Sequence, residues 1–176
     1  SRQVLGWSQR NVLFFALAIL IAVFSGMSSR FLTVPNFTVI FLQVAVTGIV
    51  AVPGAMLVLA GFVDLSVGSI AVLSAVTFGQ AMSSDLGLAT ALLLGHGIGA
   101  GWGAVNGYLI AFLGLSPIII TLGGLAGARG VAELMTQGYT TFGYGPIFAE
   151  LGNGKLVGVP VPIWIFAAVF LLGLHI

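Results

Sequence analysis

Five polar side chains stand in otherwise apolar stretches of this sequence, and they are the positions where chemistry could occur. Asp64 is the only charged residue between Arg30 and Asp85. A carboxylate at the centre of a membrane-spanning helix costs about 2.5–3.5 kcal/mol even on lenient insertion scales. Asp64 is therefore either a turn residue at an interface or a deeper residue with a function. The four neutral positions, which could bond solute hydroxyls or join neighbouring helices, are Gln43, Ser66, Asn106 and Thr121.

The segment around Asp64 leaves two interpretations open. Gly61 and Gly68 flank it and permit backbone that is not plain helix. The carboxylate could simply cap the helix that follows the turn. Alternatively, the segment could be the break of a discontinuous helix that points backbone groups at a solute, as in many transporters. The nearby Gln43 and the Pro53–Gly54 pair favour the broken helix by a small margin.

Other residue types that carry catalysis or bind metals are sparse. The chain has no cysteine, which excludes disulfides, a thiol nucleophile and a thiolate metal site. Its two histidines stand far apart, and no pair of catalytic carboxylates or nucleophile–base set is evident. We therefore expect no metal, no cofactor bound by this chain and no enzymatic activity.

The composition indicates which elements position these residues. Of 176 residues, 59% are hydrophobic and 5% are charged, whereas a soluble domain carries about 25% charged residues. The mean hydropathy is +1.21. A chain with so few charges cannot cover a water-facing surface, so the lipid bilayer is its expected solvent. The net charge of +1 suggests no nucleic-acid partner.

Apolar runs predict an all-α polytopic membrane protein forming a single transmembrane domain, with about six helices of roughly bilayer-spanning length. Arg2 and Arg10 favour a cytoplasmic N-terminus, although a basic start also fits a signal peptide. The chain starts without Met and stops in an apolar run, so we expect it to be part of a longer chain. The predicted spans are 11–27, 37–60, 66–82, 86–112, 117–135 and 160–176, with an ordered external segment at 136–159.

Two further patterns lie on the predicted helices. Gly95, Gly99, Gly103 and Gly107 recur every four residues, the small-residue spacing that lets two helix backbones approach closely. Arg129 and Glu133 are also four residues apart, so their side chains can meet as a structural ion pair.

Several sequence blocks resemble the permease subunits of ABC importers for monosaccharides of the ribose, xylose and arabinose type. These belong to the broader branched-chain amino acid and sugar permease group. The resemblance extends from about residue 30 to 162, with the blocks in register. It is carried by LVLAGFVDLSVGS (57–69), GAVNG (103–107), SPIIITLG (116–123) with RG (129–130), LGNG (151–154) and GVPVP (158–162).

The resemblance implies a pore-forming subunit of the bacterial inner membrane that pairs with a second permease subunit. It also implies two cytoplasmic ATPase subunits, which would bind ATP, and a periplasmic sugar-binding protein. The family's ATPase-coupling loop lies just beyond the end of this sequence. Three positions depart from the family pattern, and they weaken any inference about which sugar is carried: Phe62, Gly114 and Glu133.

Alternatives to a monosaccharide importer remain open. The same importer type could carry another small solute, such as an amino acid or a sugar-like signal. An ion-coupled secondary transporter would work without an ATPase, so the nucleotide dependence of uptake separates the two classes.

Overall fold

A computed structural model describes residues 11–140, 142 and 144–175, except the side chain of Leu151. The expected all-α polytopic architecture is confirmed, with one small hairpin added. Arg2 and Arg10, which favour a cytoplasmic N-terminus, lie outside the described residues. In chain order the elements are α1 Val12–Met27, α2 Val34–Leu59, α3 Val67–Ser83, α4 Leu88–Ala111, α5 Pro117–Thr136, α6 Pro146–Asn153, β1 Lys155–Leu156, β2 Val159–Pro160 and α7 Val161–Gly173.

The helices begin and end within three residues of the predicted spans. The largest difference is at α2, which starts at Val34 rather than at residue 37. Pro35 explains this earlier start, because its fixed φ suits the first turn of a helix. Pro53 lies inside α2, yet the helix continues through it to Leu59.

Three described helices are long and apolar enough to cross a membrane, namely α2, α4 and α5. The other apolar helices are shorter: α1 has 16 residues, α3 has 17 and α7 has 13. About 20 residues are needed to cross a bilayer. A full crossing by these shorter helices therefore stays a prediction.

The chain divides into two compact units, residues 1–44 and 45–176, with the division inside α2. In the first unit, the loop between α1 and α2 is held by its own side chains. The amide of Asn36 donates a hydrogen bond to the carbonyl oxygen of Phe31 at 2.8 Å. The rings of Phe24 and Phe31 stack with their centroids 5.7 Å apart.

In the second unit, α3, α4 and α5 pack closely around a small core. Leu73 of α3 is buried together with Ala128 and Ala132 of α5, and Trp102 of α4 packs against them. The helices approach closely because alanines and glycines make up most of the buried residues of these three helices. Gln80 adds a polar link, since its amide donates to the Met135 carbonyl at 2.7 Å.

The predicted external segment contains α6 and the hairpin. The antiparallel hairpin pairs Leu156 with Val159. Phe148 of α6 stacks on Phe78 near the end of α3, with ring centroids 5.5 Å apart. The ring of Tyr144 lies over Gly79, where any Cβ would collide with it. These contacts place α6 over the end of α3 that is remote from Asp64.

Candidate functional site

The turn that carries Asp64 begins where α2 ends. Gly61 adopts a φ of +84°, a conformation open to glycine. The amide of Gly61 bonds to the Val58 carbonyl at 3.0 Å, and that of Phe62 bonds to the Leu57 carbonyl at 2.9 Å. This pair of bonds is the Schellman arrangement that closes a helix C-terminus. Gly61 therefore terminates α2 and turns the chain toward Asp64.

Asp64 closes the next turn with its own side chain. Its Oδ1 accepts hydrogen bonds from the Ser66 amide at 2.7 Å and from the Ser66 hydroxyl at 2.6 Å. Bonding to the amide two residues on is an Asx turn. The carboxylate thus lies just before α3, where the partial positive charge of a helix N-terminus stabilises an anion.

A third side chain extends this contact to α4. Asn106 donates from Nδ2 to the Ser66 hydroxyl oxygen at 3.0 Å. Ser66 is fully buried and Asn106 is only 6% exposed. The resulting chain of hydrogen bonds runs from Asn106 through Ser66 to Asp64, and we call it the polar relay. It joins two positions 40 residues apart in sequence.

Gly124 of α5 packs against the polar relay. It was not among the residues predicted from the sequence. A Cβ at this position would lie 3.0 Å from Asn106 Nδ2 and 3.2 Å from the Ser66 Cβ. A Cβ at Gly127 would lie 3.1 Å from the Trp102 ring. The three-residue spacing of Gly124 and Gly127 was a usable sequence signal, because both lie on one helix face.

A cavity of about 410 Å³ lies beside the polar relay. This volume falls within the range of about 300–1,000 Å³ that is typical of small-molecule sites. Its polar lining comes from Asp64, Asn106 and Thr121, and its other walls are mostly apolar. The structure therefore brings three of the five polar residues identified in the sequence to one cavity. Ser66 hydrogen-bonds to two of them as the middle member of the polar relay.

The hydroxyl hydrogen of Thr121 is already used within α5. Its hydroxyl donates to the Pro117 carbonyl of the same helix at 2.8 Å. Only the oxygen lone pairs remain for a solute. Gln43, the fifth predicted residue, is exposed on α2 and belongs to the first unit.

The four glycines on α4 divide into two pairs. A Cβ at Gly95 would lie 3.1 Å from the Ser74 carbonyl oxygen, and one at Gly99 would lie 2.9 Å from the Ser74 hydroxyl. A Cβ at Gly103 or Gly107 would meet nothing within 4 Å. These last two glycines instead line the cavity.

The ion pair lies apart from the cavity. Arg129 Nε and Glu133 Oε1 are 2.7 Å apart, and the two side chains are 59% and 57% exposed. A pair this open contributes little to stability in water. A larger depression of about 660 Å³ surrounds Arg30 in the first unit. Two of its polar side chains bond within their own loop: Thr33 donates to the Arg30 carbonyl at 2.7 Å, and Asn36 donates to the Phe31 carbonyl.

Fold and site together define a helical, polytopic membrane protein with a polar-lined cavity between its helices. The chain belongs to the family described as "Branched-chain amino acid transport system / permease component", which matches residues 36–176. This confirms the resemblance seen in the sequence. Because the family consists of permease components, the expectation that the chain is a transport subunit rather than an enzyme is also confirmed.

Curated relatives fall in the same group. The chain is 35% identical over 152 residues to the D-allose transport system permease protein AlsC of Escherichia coli, covering 85% of this chain and 47% of AlsC. It is 32% identical over 169 residues to the ribose import permease protein RbsC of the same organism, covering 94% of this chain and 53% of RbsC.

A third relative differs in the solute that its name gives. The chain is 36% identical over 137 residues to the autoinducer 2 import system permease protein LsrD of Photorhabdus temperata, covering 73% of this chain and 41% of LsrD. The chain thus spans about half the length of the curated relatives that it matches. No solved structure matches the chain.

Proposed function

We propose that this chain is part of the permease subunit of an ATP-driven ABC importer that carries a monosaccharide across the bacterial inner membrane. The cavity beside the polar relay is the observation that carries the proposal. It combines an apolar wall with hydrogen-bonding groups from Asp64, Asn106 and Thr121. Such a lining suits a small solute that is rich in hydroxyl groups.

The relatives support a hydroxyl-rich solute. Two of them are named for D-allose and for ribose. The cavity of about 410 Å³ has room for one such molecule and its nearest waters. Asn106 and Thr121 are largely held by the protein itself, so they could meet a solute with little ordering cost.

The proposed partners follow from the importer class. A second permease subunit would complete the pore, most simply as a homodimer. Two cytoplasmic ATPase subunits would bind the ATP, and a periplasmic sugar-binding protein would deliver the solute. The chain itself would hold no cofactor and contact no nucleic acid.

The proposed topology places the cavity at the cytoplasmic side of the membrane. With a cytoplasmic N-terminus and six spans, the turn at 61–66 and the loop at 113–116 both face the cytoplasm. Residues on each side of that loop, Ala111 and Pro117, line the cavity together with Asp64. The segment at 136–159 would then lie outside, with the Arg129–Glu133 pair near that surface.

Reconstituted uptake tests the importer class. The full-length subunit, its ATPase subunits and its binding protein are placed in proteoliposomes, and labelled ribose or allose is supplied. We expect uptake with ATP and none with a non-hydrolysable analogue. Uptake driven by a proton or sodium gradient without ATP would instead support an ion-coupled secondary transporter.

A sugar-like signal is the second candidate solute, because LsrD is named for autoinducer 2. Competition between the two solutes for uptake into the same proteoliposomes distinguishes the two candidates. A monosaccharide importer keeps its ribose or allose uptake in excess autoinducer 2. Uptake of autoinducer 2 that ribose and allose fail to inhibit would favour the second candidate.

A further inference from the structure

We propose that Asp64 sets the electrostatic potential of the cavity and thereby excludes anionic solutes while admitting neutral, hydroxyl-bearing ones. This inference rests on the proposed function of the cavity as a solute site. It assigns a specificity role to a carboxylate that also holds the turn before α3.

Four helix ends meet at the cavity. Leu57 lies in the last turn of α2, and Asp64 lies just before α3. Ala111 is the last residue of α4, and Pro117 is the first residue of α5; all four line the cavity. A helix N-terminus carries about half a positive elementary charge, and a C-terminus carries about half a negative one. Without Asp64, the partial charges of the two N-termini and the two C-termini would roughly cancel.

The carboxylate of Asp64 breaks that balance. Because the helix ends roughly cancel, its full negative charge makes the cavity weakly negative. Among the residues that line the cavity, Asp64 is the only one with an ionisable side chain. Lysines and arginines near it would cancel the effect, but the lining contains none. The sign of the potential therefore depends on this one residue.

The polar relay also favours solutes that donate hydrogen bonds, because it leaves mainly acceptor groups facing the cavity. Ser66 has one hydroxyl hydrogen, which it donates to Asp64 Oδ1. Ser66 must therefore accept from Asn106, which turns the Nδ2 of Asn106 toward Ser66 and its Oδ1 away. The Oδ2 of Asp64 and the Oδ1 of Asn106 accept no hydrogen bond from the described residues. Most of the bonding capacity left for a solute is thus acceptor capacity.

An acceptor-rich, weakly negative cavity discriminates between sugars and their charged derivatives. A hydroxyl group donates to carboxylate and amide oxygens. A carboxylate or phosphate group would face acceptors that cannot bond to it and a charge of the same sign. Neutral monosaccharides satisfy these acceptors, and sugar acids or sugar phosphates do not.

The test measures the potential directly, without transport. Ile110 lines the cavity, and the chain has no cysteine of its own. An Ile110→Cys variant of the full-length subunit, with any cysteines elsewhere in it replaced, is put in nanodiscs. It is treated with a cationic or an anionic thiosulfonate of similar size. The ratio of the two rates, divided by the ratio for a free thiol, reports the local potential.

We expect the cationic reagent to be favoured in the Ile110→Cys protein. Adding Asp64→Asn should shift the ratio toward the anionic reagent on the order of tenfold, as expected for the loss of one charge from the same watery cleft. Asp85→Asn is the matched control, because Asp85 lies in the turn at the other end of α3. That change should leave the ratio unaltered.

Two results would overturn the inference: a ratio that favours the anionic reagent in the Ile110→Cys protein, or a ratio that Asp64→Asn leaves unchanged. If Asp64→Asn does not fold, the first result decides the matter alone. The proposed function is tested separately by ATP-driven uptake. An importer that takes up no monosaccharide would refute that function while leaving the measured potential as it is.

Discussion

The two halves of the glycine repeat on α4 have the same spacing but different surroundings. Gly95 and Gly99 face Ser74 of α3 so closely that an added Cβ would lie 3.1 Å and 2.9 Å from its oxygen atoms. Gly103 and Gly107 face open space and line the cavity. The first pair lets two helices pack, whereas the second pair leaves a volume that a solute could enter.

Helix geometry explains the division. Residues four apart on a helix of 3.6 residues per turn are displaced by about 40° around its axis. Between Gly95 and Gly107 the displacement accumulates to about 120°. The repeat therefore winds from the side of α4 that faces α3 to a side that faces the cavity. A repeat in sequence indicates a strip of small residues, but not one partner for the whole strip.

The largest effect on stability should come from filling the packed half. In Gly95→Leu, a side chain would be forced against the Ser74 carbonyl oxygen, 3.1 Å from the first added carbon, and against Phe78. Overpacking of this kind costs about 1–3 kcal/mol or more. Thermal unfolding of the full-length subunit in detergent should show a clearly lowered Tm. An unchanged Tm would mean that α3 and α4 are not in contact at this position.

Gly124→Ala should have the next largest effect, because it touches the polar relay. The added methyl group would lie 3.0 Å from Asn106 Nδ2 and 3.2 Å from the Ser66 Cβ. We expect a loss of about 1 kcal/mol or more, as Asn106 and Ser66 are both buried and hydrogen-bonded.

Gly123→Ala provides the matched control for this prediction. A Cβ at Gly123 would meet nothing within 4 Å, and alanine favours a helix over glycine. The control should be as stable as the parent protein or slightly more so. Equal losses in the two variants would show that the close contact at Gly124 is absent.

Ser66→Ala interrupts the polar relay without adding volume. It removes the bond to Asp64 and leaves the Asn106 amide without its buried acceptor. Leaving a buried polar group unbonded costs about 1–3 kcal/mol, less any compensation by water from the cavity. Ser69→Ala on the same helix is the control, since Ser69 makes no side-chain hydrogen bond to the described residues. A Tm equal to that of the control would rule out the relay.

The smallest effect is expected at the exposed ion pair. Arg129→Ala removes a contact between side chains that are both more than half exposed. Pairs of this kind on a helix contribute about 0.3–0.5 kcal/mol. The Tm should therefore shift little in detergent. A loss as large as that of Gly124→Ala would show that Arg129 has a buried partner in the full-length subunit.

Much of the fold could be predicted from the sequence, because each helix is an apolar run bounded by polar or turn residues. The family could also be recognised from the sequence, because residues 57–69 and four further blocks occur in the order expected for that family. The division of the glycine repeat into a packed pair and a cavity-lining pair could not be predicted, because it depends on how α4 is rotated against α3. Likewise, Ser66 and Asn106 are 40 residues apart, and no spacing rule indicates that they bond to each other.

Asp64 illustrates the same limit. Its position before a helix suggested a cap, and its charge suggested a function. The sequence favoured the functional interpretation only by a small margin. In the structure it closes a turn and also lines the cavity. The two interpretations are compatible, because one carboxylate oxygen holds the turn and the other is left for the cavity.

The most direct test compares Gly107→Leu with the parent protein in the reconstituted full-length importer. A leucine at this position would extend into the cavity, where a Cβ meets nothing within 4 Å. We predict an unchanged Tm together with a loss of ATP-driven monosaccharide uptake by about tenfold or more, because the volume for the solute is occupied. Uptake equal to that of the parent protein, at an unchanged Tm, would contradict the assignment of this cavity to the transported solute.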